Sequence, residues 1–307
     1  MMADSRFLRL VKNYSAQRGA VSDRVELQVN SAWARTDPYN GQSVKDFVEQ
    51  ASLFMTAGQQ QVAFQIAAVQ RTAFDLLGVE GMEDYIPNVP DEVRLYSDEG
   101  YEFADPVSVR TDLGFSQRLP ADEVFNRPVR KYRYLRSVGK SHSESLDESN
   151  NRVKIIVETN LALAQREAET QIIQATKKRG KGEKVTGYRR IIHPERSRTG
   201  VCGLCIAAAD RIYQVEQLKD LHTYCQCTVL PVTAANDPGL DLNQEDLEQL
   251  YGPDGRTASE YLRQLSFKVE QHGELGPILV PTASSKGGGV ITFNQQQNDT
   301  RTQTRAA

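Results

Sequence analysis

The sequence has no long apolar run, and it contains little cysteine, histidine or tryptophan. Its 307 residues include 4 cysteines, 4 histidines and 1 tryptophan. Since a membrane-spanning helix needs about 18–20 consecutive apolar residues, we expect no membrane span and no membrane partner. The N-terminus also lacks the apolar core of a secretory signal, so we expect the protein to reside in a reducing cytoplasm.

The charges are unevenly distributed along the chain. Charged residues make up 25% of it, hydrophobic residues make up 39%, and the formal net charge is −3. With a mean hydropathy of −0.52, this composition and length predict a soluble chain of about two domains. Residues 177–198 are strongly basic, and such a segment can bind phosphate or an acidic protein face. The residues from which we expect contacts with nucleic acid or with a protein partner are Lys177, Lys178, Arg179, Lys181, Arg189 and Arg190.

All the cysteines lie between positions 202 and 227. A Cys-x-x-Cys sequence begins this segment and a His-x-x-Cys-x-Cys sequence ends it, which is a spacing typical of a structural zinc site. In a reducing compartment such clustering favours metal binding, with disulfides or unliganded thiols as the alternative. The candidate ligands for one zinc ion are Cys202, Cys205, His222, Cys225 and Cys227.

A structural zinc site usually takes four ligands, so these candidates allow two coordination classes. The cysteines alone would form an all-thiolate site, whereas His222 in place of Cys225 or Cys227 would form a site of three thiolates and one imidazole. Both classes leave no position for a water molecule, so we predict a structural role. The His-Glu-x-x-His pattern of metalloproteases and the deaminase signature are also absent. We therefore expect no enzyme activity and no small-molecule substrate.

The other histidines lie outside any catalytic motif. His142 is expected on the surface at the start of a helix, and His272 in a hairpin turn. His193 precedes Pro194 and is expected to be a polar loop residue. The alternative for His193 is a role in orienting the metal module or in contacting phosphate.

Hydrophobic periodicity predicts helices in two parts of the chain. Residues 4–36 fit two amphipathic helices that break near Gly19, and residues 43–77 fit a longer helix that ends at Gly78. Another long helix is expected over residues 141–178, where a Ser-x-x-Glu capping box begins the periodic pattern.

The segment between these helices lacks sustained periodicity. Residues 80–128 contain 5 prolines, and we predict an ordered but irregular connection, with a flexible linker as the alternative. Residues 127–136 mix basic and aromatic side chains, which predicts either a nucleic-acid contact or a solvated edge strand.

After residue 184 the pattern favours short strands. Pro231 suggests that the strand containing it lies at a sheet edge. Residues 284–307 are rich in Gly, Gln, Asn and Thr, and we expect them to be disordered unless a partner orders them. The predicted strands are 185–193, 211–213 and 228–232, followed by a hairpin over 267–280.

Together these patterns predict an α+β protein with an elongated, mainly helical N-terminal part, a small metal-stapled α+β module and a disordered tail. Zinc would replace much of the hydrophobic core that so small a module lacks. The predicted divisions are 1–80 (helical region), 81–140 (irregular, proline-containing connection), 141–184 (long helix), 185–283 (zinc-knuckle α+β module with a C-terminal hairpin) and 284–307 (tail).

Several short segments resemble the MuF-like minor head proteins of tailed bacteriophages. The resemblance covers residues 185–280, is loose over the helical half and does not extend to the tail. The last of the segments is similar to one in the actinobacteriophage branch. They are Tyr-Arg-Arg-Ile-Ile-His-Pro at 188–194, Cys-Gly-Leu-Cys at 202–205, His-Thr-Tyr-Cys-Gln-Cys at 222–227 and His-Gly-Glu-Leu-Gly-Pro at 272–277.

Two positions depart from the family pattern. Thr223 stands where the family usually has proline, and Gln226 stands where it usually has a basic residue. These departures leave the candidate metal ligands in place, but they remove the phosphate contact that the basic residue would imply.

The resemblance implies a non-enzymatic minor capsid protein that acts in head morphogenesis. It would associate with the portal or the major capsid protein in the capsid interior near the portal vertex, after assembly in the bacterial cytoplasm. The alternative is a zinc module that binds packaged or ejected phage DNA directly. A catalytic domain of the kind fused to some relatives is disfavoured, because the chain has no further domain-sized segment with catalytic residues.

Overall fold

The computed structural model describes most of the N-terminal half of the chain and several parts of the C-terminal half. The predicted tail at 284–307 and the hairpin turn at 273–275 lie outside the described residues. The described residues are 5–89, 95–97, 107–111, 114–118, 121–193, 208–209, 211–214, 227–243, 266–272 and 276–282.

Long helices form the larger part of the described structure, which confirms the prediction of a mainly helical N-terminal part. Each buries an apolar face against its neighbours, as amphipathic helices do. The second of the four helices contacts the other three, and so does the fourth. The regions predicted separately as 1–80 and 141–184 therefore meet in one bundle. The helices are α1 (Ser5–Trp33), α2 (Gly41–Leu77), α3 (Ala121–Ser137) and α4 (His142–Arg179).

The C-terminal end of α2 and the start of α4 follow the signals in the sequence. α2 ends at Leu77, and the following Gly78 adopts φ 73° as expected for the predicted stop. Its start differs from the prediction, because α2 begins at Gly41 with Asn40 as its N-cap. α4 begins after Ser141, whose hydroxyl accepts a hydrogen bond from the Glu144 backbone N–H at 3.2 Å. The Glu144 carboxylate accepts in return from the Ser141 backbone N–H at 2.9 Å. The predicted capping box is confirmed.

The predicted break near Gly19 is wrong, because α1 continues through this residue. A glycine inside a helix costs about 1 kcal/mol relative to alanine. Tyr14 and Val21, on either side of it, are buried, and burying one large apolar side chain stabilises by about 1.5–3 kcal/mol. Packing on the bundle therefore outweighs the propensity of a single glycine.

The prediction of an irregular connection over residues 81–140 is wrong where the structure describes a helix and strands, whereas residues 81–89 contain no helix or strand, as predicted. Residues 121–137 form α3, and three short strands form an antiparallel sheet in the order β2-β4-β3. The strands are β2 (Leu95–Ser97), β3 (Val107–Thr111) and β4 (Gly114–Arg118).

α3 also replaces the edge strand predicted over residues 127–136. Phe125, Val129 and Tyr132 are buried at helical spacing, and this stripe packs against α4. Pro128 lies inside the helix, where a proline normally removes one backbone hydrogen bond. The mixture of proline and basic residues hides this stripe in the sequence.

The C-terminal strands are antiparallel, and their predicted positions are confirmed where the structure describes them. β6 (Val185–Ile191) lies between β7 (Ile212–Tyr213) and β8 (Thr228–Thr233). Among the described strands β8 is therefore at an edge, as Pro231 predicts. Two further pairs complete the set, namely β1 (Val79–Glu80) with β5 (Lys181–Gly182), and β9 (Ser266–His272) with β10 (Gly276–Thr282).

Two hydrophobic cores hold the described structure together. One lies between the helices and includes Trp33, Phe47 and Phe125. The other joins α1, α2 and α4 to the β7-β6-β8 sheet, since Phe74 and Ile172 of the helices cluster in it with Ile191, Leu230 and others. The sheet that leads out of the cysteine segment is thus packed directly on the bundle.

Candidate metal centre

Of the predicted ligands, only Cys227 lies within the described residues. Its side chain is 2% exposed, and it directly precedes β8. Cys202, Cys205, His222 and Cys225 lie outside the described residues. Within the described ranges, no group of three or more His, Cys, Asp or Glu side chains is placed to hold a metal ion, so the geometry of the complete ligand set stays a prediction.

The backbone of Cys227 is attached to α4. Its carbonyl oxygen accepts hydrogen bonds from Gln165 Nε2 at 3.0 Å and from Arg166 Nη2 at 3.1 Å. All three residues are buried. Because buried polar groups hold their positions when their hydrogen bonds are made, α4 fixes where the cysteine segment enters β8.

A buried carboxylate completes this attachment. Glu169 is 1% exposed, and its Oε2 accepts from Arg166 Nη1 at 2.6 Å. Its Oε1 accepts from Gln165 Nε2 at 3.1 Å and from the Val229 backbone N–H at 3.3 Å. Burial raises the pKa of Glu169, while Arg166, Gln165 and the Val229 N–H act in the opposite direction. Both carboxylate oxygens of Glu169 accept hydrogen bonds, which is the pattern expected of an ionised glutamate.

Arg190 is a further buried guanidinium group near this cluster. It is 0% exposed and stands opposite Val229 in the β6–β8 register. Its guanidinium carbon is 5.1 Å from the centre of the Tyr213 ring, a cation–π distance, and its charge lowers the pKa of Glu169. Two buried guanidinium groups and one buried carboxylate thus lie near the start of β8.

Arg189 extends to the other face of β6, since side chains alternate along a strand. Its Nε is 2.9 Å and its Nη2 2.6 Å from Asp237 Oδ2, and its Nη1 donates to the Ala209 carbonyl at 3.1 Å. Asn243 binds the same region, because its Nδ2 donates to the carbonyls of Arg190 and Ala209.

These positions correct part of the predicted basic surface. Arg189 and Arg190 are 5% and 0% exposed, so the contacts with phosphate or a partner predicted for them are wrong in this structure. β6 is the central strand of its sheet, where Arg189 pairs with Asp237 and Arg190 lies against the Tyr213 ring. Both guanidinium groups are consequently used inside the protein.

The other four predicted basic residues are exposed at the end of α4 and in β5. The Arg179 guanidinium carbon lies 5.8 Å from the centre of the Tyr85 ring. Acidic residues accompany this surface. The backbone N–H groups of Glu83 and Gly81 lower the pKa of the Glu83 carboxyl group, with smaller contributions from Arg179 and Lys181. The basic surface is therefore partly neutralised. Its members are Lys177, Lys178, Arg179 and Lys181.

His193 lies after the end of β6 and outside any regular element, as predicted for a loop residue, but its side chain is buried. Its Nε2 lies 3.0 Å from the Thr228 hydroxyl oxygen, next to Cys227 in the chain. The contact instead fits the orienting role that was the alternative prediction. His142 begins α4 on the surface, as predicted, and its Nδ1 lies 2.8 Å from the Tyr132 hydroxyl oxygen.

A second feature of the surface is a groove between α1 and α2, with a volume of about 660 Å³. The described residues that line it are uncharged. Phe64 in this groove is 59% exposed, although exposed phenylalanine is costly in water. Leu53 lies three helical turns earlier on α2 and is also exposed. We name this groove, with Phe64 and Leu53, the α1–α2 groove. Its other lining residues are Leu10, Asn13, Tyr14, Gln17, Ala57, Gln60, Gln61, Gln65, Ala68, Val69 and Thr72.

No family model, no curated protein and no solved structure matches this chain. Within the described parts of the chain, no helix is both long and apolar enough to cross a membrane. The functional argument therefore depends on the chain's own residues and on the motifs they form.

The one predicted ligand that the structure describes is compatible with a thiolate-bound metal ion. Cys227 forms no disulfide in the described structure, it is buried, and cationic groups of the kind found at Arg166 and Arg190 favour a thiolate. If zinc is bound, Cys227 would be one ligand, and the remaining ligands would come from Cys202, Cys205, His222 and Cys225. Such a closed site would supply rigidity and no reactive position.

Sequence reasoning did not identify the cluster that holds Cys227. Gln165, Arg166 and Glu169 are spaced as neighbours on one helix face, and the apolar Leu161 and Ala168 beside them are also buried. The signal in the sequence is this set of polar residues within an apolar helix stripe. That signal does not indicate which strand the polar residues would bind.

Proposed function

We propose that this chain is a minor capsid protein of a tailed bacteriophage that acts in head morphogenesis without enzymatic activity. One structural zinc ion would hold the module that follows α4. The motif resemblance supports the family. The observation that supports the structural role is the attachment of Cys227 to Gln165 and Arg166, because it joins the end of the cysteine segment to the bundle.

The partner in this proposal is the portal protein, with the major capsid protein as the other head component that could bind. The α1–α2 groove supports the choice of the bundle as the binding surface. Apolar side chains exposed on paired helices are the typical feature of helix-in-groove binding. We expect an uncharged, apolar helix face of the portal protein to bind there, in the capsid interior near the portal vertex.

Co-sedimentation with purified portal rings tests this proposal. The wild-type chain should sediment with the rings, and Phe64→Glu with Leu53→Glu should abolish this, since two charges would enter an apolar contact. Tyr134→Glu is the matched control, because Tyr134 is a similarly exposed aromatic residue on α3. If the wild-type chain binds neither portal nor major capsid protein at micromolar concentration, the proposal is wrong.

The metal part of the proposal has a direct test. Elemental analysis of the purified protein should find one zinc ion per chain, and replacing all four cysteines by serine should remove it. A protein without zinc, whose cysteine variant folds as the wild type does, would contradict the structural zinc site.

DNA binding is the second candidate, favoured by the exposed basic surface of Lys177, Lys178, Arg179 and Lys181. With these four side chains on phosphates, log K should fall with log salt concentration at a slope of about −3.6. Measured binding to duplex DNA that does not change with salt would eliminate this candidate. Charge removal at these four positions should abolish any slope, whereas removal of buried Arg189 should not alter it.

A further inference from the structure

We propose that polar side chains of α2 and α4 close the outer edge of β8 in place of a neighbouring strand, and that this closure keeps β8 from pairing with β8 of a second copy of the chain. The outer edge is the row of backbone N–H and C=O groups that points away from β6. The closure involves the backbone at β8 and not the side chains of the predicted zinc ligands. It is therefore independent of the metal site and of the proposed portal contact.

The β6–β8 register shows which residues form this outer edge. β8 pairs with β6 antiparallel, and Val229 stands opposite Arg190. In an antiparallel pair, the backbone groups of successive residues point alternately toward the partner strand and away from it. Both the N–H and the C=O of Val229 bind helix side chains, so Val229 belongs to the outward-pointing set. Cys227 and Pro231, two positions to either side, belong to the same set.

Helix side chains bind three consecutive groups of this edge. The Cys227 carbonyl accepts a hydrogen bond from Gln165 Nε2 of α4 at 3.0 Å. The Val229 N–H donates to Glu169 Oε1 of α4 at 3.3 Å, and the Val229 carbonyl accepts from Gln70 Nε2 of α2 at 2.6 Å. The helices thus supply an acceptor between two donors, which is the alternation that the edge of another strand would present.

A proline occupies the next position of the edge. Pro231 has no N–H group, so it offers no donor to another strand. The three helix residues that bind the edge are buried, with Gln70 0%, Gln165 3% and Glu169 1% exposed. Their hydrogen bonds to β8 are therefore made away from water. Three hydrogen bonds and one proline close four consecutive positions.

The occupant that this closure excludes is a second copy of β8. An open strand edge is a template for pairing with another chain, and β8 is at an edge among the described strands. Its sequence, Thr-Val-Leu-Pro-Val-Thr, carries no charge that would oppose pairing. Two copies can pair antiparallel about a two-fold axis, since the same residues then lie on both sides of the contact.

The experiment removes one hydrogen bond to the edge and measures self-association of the full chain by sedimentation velocity over a concentration series. Gln70→Met keeps the length of the side chain but removes the donor to the Val229 carbonyl. A buried carbonyl without a partner is costly until a second chain supplies a donor, so self-association should strengthen by about 10-fold over wild type. Infrared spectra of the associated variant should show added antiparallel β-structure.

Gln171 on α4 provides the matched control. Its side chain also binds backbone groups, namely the N–H and the carbonyl of Asn88, each at 2.8 Å. Asn88 lies outside any strand, so Gln171→Met removes the same kind of contact away from β8 and should associate as the wild type does. If Gln70→Met is no more associated than Gln171→Met, the closure does not prevent pairing and the proposal is wrong.

Two further measurements keep the test decisive if Gln70→Met does not fold. Gln70→Asn keeps the amide on a side chain one methylene shorter, which withdraws the donor with less disruption, and it should associate as predicted for Gln70→Met. Hydrogen exchange of the wild type needs no variant. The Val229 N–H should exchange as slowly as the Leu230 N–H, which points toward β6. A Val229 N–H that exchanges as fast as an exposed amide would overturn the closure.

Discussion

The buried charges near Cys227 include two ion pairs. Arg189 and Asp237 pair with each other. Arg166 and Glu169 pair while also binding the backbone of Cys227 and Val229. A buried ion pair stabilises little by itself, but removal of one partner leaves a buried charge uncompensated. Comparing single with double substitutions therefore separates the cost of an unpaired buried charge from the small net contribution of the pair.

We predict that Glu169→Leu lowers the free energy of unfolding by about 3–5 kcal/mol, because Arg166 then loses its carboxylate. The double variant Arg166→Met, Glu169→Leu should lose less, since no unpaired charge remains. Urea unfolding followed by circular dichroism measures both. Equal losses in the single and double variants would show that the charge is not the cause.

The control is an ion pair on the surface. Lys45 and Glu49 are an exposed pair one turn apart on α2, at 3.8 Å. Replacing both by glutamine should change the free energy of unfolding by no more than about 0.5 kcal/mol, as is usual for surface positions.

Single residues were the hardest to place from sequence. The cysteine spacing alone predicts Cys227 as a ligand, whereas the basic segment wrongly predicts an exposed surface at Arg189 and Arg190. A sequence shows which residues are charged but not how deeply they are buried. Arginines in a central strand have the same local pattern as arginines in an exposed strand. Both are in contact with residues that are distant along the chain, Arg189 with Asp237 and Arg190 with Tyr213.

At the scale of elements, the long helices were predictable where capping and periodicity agreed. α4 has both, with Ser141 and Glu144 at its start. The Ser141 backbone N–H, the Ser141 hydroxyl and Lys140 lower the pKa of Glu144 from 4.5 to about 2. The carboxylate of Glu144 is therefore the form that favours the folded start of the helix.

This shift predicts a pH dependence with a defined sign. Because the pKa of Glu144 is lower in the folded state, its contribution to stability is present above pH 4.5 and is lost as the pH falls toward about 2. Glu144→Gln keeps a capping side chain but does not titrate. Its unfolding free energy should therefore fall less than that of the wild type between these two pH values.

The same cap has an expected contribution at neutral pH. Ser141→Ala should lower the unfolding free energy by about 1 kcal/mol, as loss of an N-cap side chain usually does. Thermal unfolding at pH 7 measures this.

If Glu144→Gln and wild type lose stability in parallel below pH 4.5, the folded carboxylate of Glu144 does not have the role predicted for it in the pH dependence.

The elements that sequence reasoning missed have a shared cause. Gly19 predicts a break in α1, and Pro128 argues against α3, yet both helices form. In each helix, buried apolar residues continue on both sides of the unfavourable one. Local propensity is worth about 1 kcal/mol at a glycine, and tertiary packing supplies more. The cost of the glycine can be read from the sequence, whereas the packing energy requires knowledge of the partner helix.

At the scale of the whole molecule, the β7-β6-β8 sheet and the helical bundle are joined by apolar and polar contacts. Ile191 and Leu230 belong to the same core as Phe74 and Ile172. Gln70 of α2 donates to the Val229 carbonyl at 2.6 Å, close to the attachment of Cys227. A change in the metal centre should therefore be transmitted to the stability of the bundle.

Zinc removal tests this coupling while leaving the helical cores intact. Cys227 belongs to neither of the two described cores, so chelation should leave the far-ultraviolet helical signal at 25 °C unchanged. A ligand present at 100 times its dissociation constant stabilises the folded state by about 2.7 kcal/mol, so chelation should lower the melting temperature.

Variants of the predicted ligands provide the control for zinc removal. Cys202→Ser with Cys205→Ser should melt at the lower temperature of the chelated wild type and should not respond to chelator. A wild-type melting temperature that is unaffected by chelation would exclude coupling between metal and bundle. Loss of the helical signal on chelation would instead mean that the bundle depends on the metal for folding, which its two described cores argue against.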